Sequence, residues 1–447
     1  MIKPSLKNEL MKKITVVLLV SLVSVLRTNG QSITRIDGTK ISVDSLQNKI
    51  IDRMHAAKVT GLCISVFNNN VPVFTKAFGL ADVTKNEPLK TSSVLSGASF
   101  SKAVFAYIVM KLAEDKVIDL DTPLVSYLNK PLPDYKIQGS NQDYHDLKKD
   151  ERYKKITARM CLDHTTGFPN SRYFEPDKKL KIKSEPGTHY SYSGEGLLLL
   201  QFVIEKHTGK NLEEIAQQIV FKPFGMKNTS YVWQERFNDH LAYGHNSEGQ
   251  KYQFYKRAEP NAAGSLLTSF DDYIKFYAAV MQEKGLKKTS FDEMFKPQIS
   301  ITSKQQFGPE ALLSTSDNDN IKLSYGLGFG VFNTMYGTAF FKEGHGDGWQ
   351  HYSVCFRDKN IAVVIMTNSD NSESIFKEML SDAIGDNFTP WYWENYIPIG
   401  HHKAKEGYAF YCEPCGGACD TVAHEYPGIC PICKMPLIEK KIPNLLK

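Results

Sequence analysis

The sequence predicts an α+β fold (an α/β sandwich). One antiparallel sheet is built from strands near the two ends of a large domain, with helices flanking it and a helical subdomain inserted between the two sets of strands. Three observations predict this. Apolar runs of strand length occur at residues 62–78 and return after residue 325, while helical patterning dominates between them. With 447 residues, 42% of them hydrophobic, the chain can bury a large core and hold more than one unit. Five of the eight cysteines fall between Cys412 and Cys433, which marks the last fifty residues as a small metal-ribbon-like module.

Taken in order, Lys3, Lys7, Lys12 and Lys13 precede an apolar run from Ile14 to Leu26 and the small polar stretch Thr28–Gln31. That is the layout of a secretory signal peptide cleaved near Gly30. Residues 1–30 are therefore expected to direct export to the periplasm or the exterior, with no stable membrane insertion afterwards. A retained anchor is the alternative, although the run is short for a bilayer span. The leader holds five basic residues and one acid, so its removal lowers the net charge from +5 to about +1. A near-neutral mature chain gives no reason to expect nucleic acid or an anionic membrane as partner.

Residues 31–55 contain an amphipathic helix with Leu46, Ile50, Ile51 and Met54 at helical spacing. Leu62–Phe67 and Val71–Phe78 read as strands joined by a hairpin turn at Asn68-Asn69-Asn70. Helices follow from Ser99 to about Leu286, interrupted by a polar stretch at residues 130–155. Strands return at Tyr325–Phe332, His351–Arg357 and Ile361–Thr367, the last two linked by Asp358-Lys359-Asn360. A helix over residues 373–384 closes the large domain. A polar linker at Ile397–Lys403 sets the boundaries at residues 31–398 and 399–447. Cys63, Cys161 and Cys355 lie in apolar surroundings, as core residues or as a disulfide pair.

Gly97-Ala98-Ser99-Phe100-Ser101-Lys102 precedes a strongly apolar helix. If Ser99 opens that helix, Lys102 lies one turn on, on the same face. A lysine held neutral by burial or a nearby cation can take the proton of a serine hydroxyl and make it a nucleophile. The free N–H groups of the helix start favour negative charge developing beside it. The spacing alone is weak, because Ser374 and Lys377 repeat it and a serine there is more often a helix cap. What sets Ser99 apart is the apolar helix behind it, which places its start in an interior.

With its neighbours, this segment resembles the serine β-lactamase and penicillin-binding-protein superfamily, in the branch of class C β-lactamases, D,D-peptidases, D-aminopeptidases and esterases. The resemblance covers residues 45–385. Ser99-x-x-Lys102 is similar to the first motif, and Asp119–Pro123 to the segment closing the nucleophile helix. His164-Thr165-Thr166-Gly167 resembles the H-T-S-G loop, and Pro186–Gly194 the segment of the second motif. Pro223–Met226 and Ala262–Ser269 match two further segments. Gly344-His345-Gly346-Asp347-Gly348 stands where the third motif is expected.

The resemblance implies a bacterial serine hydrolase acting through an acyl-enzyme on a small-molecule or peptide substrate, with no cofactor for catalysis. Ser99 is the implied nucleophile, with Lys102 or Tyr192 as base and His345 beside the substrate's polar end. Gly194, Gly346, Gly348 and Trp349 are implied to line the substrate site, and the oxyanion hole combines the N–H of Ser99 with one near Gly348 or Trp349. Two departures bear on the substrate. The second motif is usually Y-x-N, but Gly194 stands in place of the amide. The third usually ends K-T-G or H-x-G, but here His345-Gly346-Asp347 puts an acid where β-lactams and D-Ala-D-Ala peptides carry a carboxylate. Ester or peptidase activity is therefore expected ahead of efficient β-lactam hydrolysis. The other readings are a non-catalytic binding protein for peptide or peptidoglycan fragments using the same cleft, or a metal tail on a scaffold. No G-x-S-x-G elbow or H-E-x-x-H zinc motif occurs.

In the tail, Cys412-x-x-Cys415 and Cys430-x-x-Cys433 are separated by fourteen residues, a spacing that suits a tetrahedral metal site, with disulfides as the alternative. Cys419 and His424 are spare ligands. Residues 408–440 resemble the small heavy-metal-binding domain of bacterial metal-efflux proteins. Cys415 in place of the usual His points to four thiolates and a bound zinc, with copper second.

Overall fold

The structure, a computed structural model, describes residues 32–136, 142–400, 404–405, 407–412, 417–424, 430 and 437–442. The expected leader, Cys415 and Cys433 lie outside the described residues.

A nine-stranded antiparallel sheet forms the centre. In chain order its strands are β1 (Gly61–Asn68), β2 (Val71–Asp82), β3 (Glu87–Pro88), β4 (Ile299–Ser300), β5 (Ser324–Tyr325), β6 (Gly330–Thr334), β7 (Gly337–Gly346), β8 (Trp349–Phe356) and β9 (Ile361–Thr367). Their order across the sheet is β3-β2-β1-β9-β8-β7-β6-β5-β4. The N-terminal and C-terminal strands meet where β1 pairs with β9 over Leu62↔Thr367 to Asn68↔Ile361. The fold is the predicted α+β class, and the residues between β3 and β4 carry the helical insertion.

Local chemistry explains the joints. Asn69 and Asn70 both have positive φ, 52° and 61°, so the β1–β2 hairpin turns through two left-handed residues, which Asn tolerates. The predicted single strand at Tyr325–Phe332 is two strands, β5 and β6. The left-handed backbone of Gly328 (φ 88°) turns the chain between them. Strand β7 had no forecast, and it carries much of the site.

Side chains alternate across the strands and divide the core in two. One face, with Ile64, Val66, Phe341, Val354, Val363 and Ile365, packs on helices α1 (Val43–Ala57) and α5 (Glu373–Ile384). Leu46, Ile50, Met54 and Ala57 form the buried stripe of α1, while Ile51 is half-buried. The other face, with Cys63, Phe340, Ala362, Val364 and Met366, packs on the helical insertion. That insertion holds α2 (Phe100–Glu114), α3 (Gly194–Thr208) and α4 (Phe270–Met281). Twelve of the fifteen residues of α2 are buried, so it is a central helix with no solvent face. Truncating one of its aromatic residues, such as Phe105, is expected to cost about 3–5 kcal/mol. Cys63, Cys161 and Cys355 are buried and free, as core residues.

The tail forms a two-stranded antiparallel sheet of Tyr408–Cys412 and Leu437–Lys441. Cys412, Cys419 and Cys430 are buried beside it, with sulfurs all within 4.8 Å of one another. The spare cysteine thus joins one member of each predicted pair. Among the described residues, no helix is long and apolar enough to cross a membrane.

Candidate active site

Ser99 sits at the start of α2, but its side chain makes no capping bond. The turn before it is unusual. Ala98 is left-handed (φ 42°), a conformation that costs a non-glycine residue on the order of 1 kcal/mol. Neighbouring bonds hold it there: Gly97 N–H donates to Leu266 O (2.6 Å) and Ser101 Oγ donates to Ala98 O (2.6 Å). Among the described residues the N–H of Ser99 has no acceptor.

Lys102 points back along the helix, its Nζ 2.9 Å from Ser99 Oγ and 2.6 Å from Ala263 O. Only 3% of Lys102 is exposed. Burial, then the nearby Lys342 cation, push its pKa well below the ordinary lysine value. Tyr192 lies above this pair, with Lys102 Nζ 5.0 Å from its ring centroid and its hydroxyl in hydrogen-bond reach of Ser99. Burial pushes its phenol pKa well up, and Glu343 adds to that.

Tyr192 is held from both sides. Ser193 caps α3 by accepting Gly196 N–H (2.9 Å) and donates to Pro169 O (3.0 Å). His164, left-handed at φ 60°, stacks at 4.4 Å on the Tyr192 ring and accepts Ser193 N–H at Nδ1 (3.1 Å). Burial lowers its pKa well below the usual range, so it packs as a neutral ring. Gly194 leaves no space for a side chain. A Cβ there would lie 2.6 Å from Asn170 O and 3.1 Å from Asn170 Oδ1, and both oxygens accept the Gly194 N–H at 3.1 Å. Asn170 therefore closes on Gly194 with both its backbone and its side-chain oxygen.

Strand β7 brings a different residue from the one expected. Lys342 Nζ lies 3.3 Å from Tyr192 Oη and 2.8 Å from Glu343 Oε1. His345 lines the cleft mouth, but its ring is exposed and turned to Glu373, with Nδ1 2.7 Å from Oε1. That hydrogen bond raises its pKa. The strand's alternation is the physical reason: Phe340, on the face of Lys342, packs with the helical insertion, and Phe341, on the face of His345, packs with α5. Lys342-Glu343-Gly344 is thus the K-x-G stretch in contact with Tyr192. Its K-x-G pattern was the signal in the sequence, hidden by the more conspicuous His between glycines three residues on.

Gly348 N–H donates to Asp370 Oδ1 (2.6 Å), so this expected oxyanion donor is already engaged. Trp349 pairs with Gly346 across the β7–β8 hairpin. Gly346 and Gly344 bring β7 close to the turn before Ser99, where added Cβ atoms would lie 3.8 Å from Ala98 Cβ and 3.4 Å from Gly97 O. Strand β6 pairs with β7 only as far as Phe341, which leaves the outer edge of Lys342–Gly346 without a neighbouring strand.

The cleft in front of Ser99 has a volume of about 430 Å³ and is walled by Ala98, Tyr252–Tyr255, Arg257, Ala263, Gly346, Asp347 and Trp349. A larger cavity of about 530 Å³, around Glu283, Asp292 and Arg357, lies elsewhere and its charges pair with one another.

Comparison with known proteins identifies the family. The family model described as Beta-lactamase matches residues 46–382. Penicillin-binding protein 4* of Bacillus subtilis is 22% identical over 70% of this chain and 68% of its own. The teichoic acid D-alanine hydrolase of Staphylococcus aureus is also 22% identical, over 76% and 78%. Among solved structures, EstCE1, described as a hydrolase with promiscuous acyltransferase activity, superposes with a TM-score of 0.61. It is 16% identical and covers 77% of this chain and 97% of its own. With its family model spanning three quarters of the sequence, this chain belongs to the beta-lactamase family.

Proposed function

We propose that the protein is a serine hydrolase that cleaves small acyl esters or amides through an acyl-enzyme on Ser99. The observation that carries this reading is the buried amine of Lys102, 2.9 Å from Ser99 Oγ. Burial and the cation of Lys342 favour its neutral form, so it takes the Ser99 proton as Oγ attacks the carbonyl carbon. The resulting oxyanion faces the free N–H of Ser99 and one N–H from the open edge of β7 within Gly344–Gly346. Tyr192, between Ser99 and Lys342, delivers the proton to the leaving group. With that proton passed on, Lys102 is neutral again. Water then attacks the acyl-enzyme, Lys102 takes its proton, and the proton passes to Ser99 Oγ as its bond to the acyl carbon breaks.

Esterase or peptidase activity fits better than efficient β-lactam hydrolysis, because no side chain can stand at residue 194. The relative named teichoic acid D-alanine hydrolase supports a hydrolase of small acyl groups. Mixing the protein with a p-nitrophenyl ester tests the reading. A burst of one nitrophenol per chain, with the acyl mass on Ser99, is expected. A linear course that persists in Ser99→Ala would refute it.

Two further assignments accompany the enzyme. Three buried cysteines with sulfurs within 4.8 Å suit a soft ion held by Cys412, Cys419 and Cys430, and zinc bound by thiolates is the reading we favour. Such an ion would anchor the tail and takes no part in hydrolysis. One zinc per chain by elemental analysis, reduced in Cys419→Ser, is the expected result; equal zinc in both would remove Cys419 from the set. Export rests on the leader pattern, and N-terminal sequencing of secreted material should begin near Gln31.

A further inference from the structure

Lys342 and Glu343 are consecutive on β7, yet their charged ends meet at 2.8 Å with side chains 0% and 4% exposed. Lys342 is also the cation behind Tyr192, 3.3 Å from its hydroxyl. It is therefore the group to which a negatively charged part of a bound substrate would turn. Glu343 holds it closed. Its Oε1 also accepts Gln306 Nε2 (3.1 Å), while Oε2 has no partner among the described residues.

The surroundings leave this pair to balance itself. Glu394 lies behind it and accepts Tyr352 Oη (2.9 Å). Burial, then the charge of Glu343, push the Glu394 pKa well up, which favours its protonated form. His164, Tyr190 and Tyr325 face the pair from neighbouring segments, and burial keeps each neutral. Lys102 is kept neutral in the same way. At the cleft rim the charges are mostly acidic. Asp347 is exposed there, Asp370 holds Gly348 N–H and Tyr252 Oη, and Glu373 holds His345. Arg257 stands on the opposite wall, exposed to water. A carboxylate placed beside Ser99 would lose its hydration with Lys342 already paired and only the water-exposed Arg257 across the cleft to meet it, whereas a neutral group carries no such penalty.

We propose that Glu343 sets the charge class of the substrate: by closing an ion pair on Lys342 it withholds the cation that a substrate carboxylate needs, and directs the cleft to acyl groups that are neutral or carry an amine. This rests on Ser99 being the nucleophile, and the test separates the two. The probes are two phenyl esters identical except that one bears a carboxylate beside the scissile carbonyl and the other the corresponding methyl amide.

The wild-type enzyme should favour the amide-bearing ester at least tenfold in kcat/KM. Glu343→Gln should narrow that ratio at least tenfold, chiefly by raising kcat/KM for the carboxylate ester. The acid limb of Ser99 labelling by a fluorophosphonate should also move to lower pH in Glu343→Gln, because removing an anion disfavours the ammonium form of Lys102. A merely structural role for Glu343 would move neither the ratio nor the limb. A wild-type preference for the carboxylate, a ratio unchanged in Glu343→Gln, or a limb that stays or rises would each overturn the proposal. Glu343→Thr repeats the test if the glutamine variant does not fold, and the wild-type ratio needs no variant. Absence of label on wild-type Ser99 would instead defeat the nucleophile.

Discussion

Ser99 and Lys102 begin α2, Ser374 and Lys377 lie in the first turns of α5, and the two pairs share one helical offset. In the first, the serine hydroxyl is left uncapped and the lysine reaches it at 2.9 Å with almost no exposure. In the second, Ser374 Oγ donates to Asn371 O (2.6 Å). Lys377 is half-buried and makes no hydrogen bond or ion pair among the described residues. Helix α5 is amphipathic, packing Ile375, Phe376, Met379 and Leu380 on the sheet and leaving a face to water, whereas α2 has no such face. The difference teaches that spacing can bring a serine and a lysine together, while burial is what favours the neutral amine that a base needs.

The sharpest way to break the comparison is to remove each lysine. Lys102→Met should lower ester hydrolysis by about 10²–10⁴-fold, the usual worth of a positioned base. Lys377→Met should leave it within about twofold, as expected away from the site. Initial rates on one p-nitrophenyl ester check both.

A second test acidifies the histidine that supports the segment just before Ser99. His351 is fully buried, donates Nε2–H to Ser96 O (2.7 Å) and accepts Thr367 N–H at Nδ1 (3.2 Å). Burial lowers its pKa to about 4. The unfolded chain, with an ordinary histidine, then binds the extra proton between about pH 6.5 and 4, so stability is present above that window and is lost as pH falls through it. The loss should be on the order of 3 kcal/mol. Urea unfolding at pH 7 and pH 4 measures it, and His351→Gln should flatten the difference.

Gly194→Asn comes third. It restores a Y-x-N pattern in the sequence, but the new Cβ would lie 2.6 Å from Asn170 O. A loss of about 2 kcal/mol is expected, with no gain in β-lactam hydrolysis. Smallest of all, Ser374→Ala should change stability by less than about 0.5 kcal/mol by thermal melting.

Much of this was legible in the sequence where one residue type has one dominant reason to be present. The Asn69-Asn70 turn, the β9 run and the α5 helix follow from local chemistry and periodicity, and they lie where expected. Strand β7 was not legible, because Lys342–Gly346 is charged and glycine-rich and carries no β pattern; its place comes from pairing with β8. That hidden strand brings Lys342, three residues before the expected His345, into contact with Tyr192. Asn170 was invisible for a different reason, since it reaches Gly194 across 24 residues of chain. Cys419 joins Cys412 and Cys430 by a route that C-x-x-C spacing does not describe.

The central claim, that burial selects Ser99 over Ser374 as the nucleophile, is tested most directly by mapping a covalent adduct. Wild-type protein, Ser99→Ala and Ser374→Ala would each be treated with a fluorophosphonate and digested for peptide mass spectrometry. A single adduct on Ser99 in the wild type, retained in Ser374→Ala and absent from Ser99→Ala, is the predicted result. Label on Ser374, or equal labelling of Ser99→Ala, would contradict it.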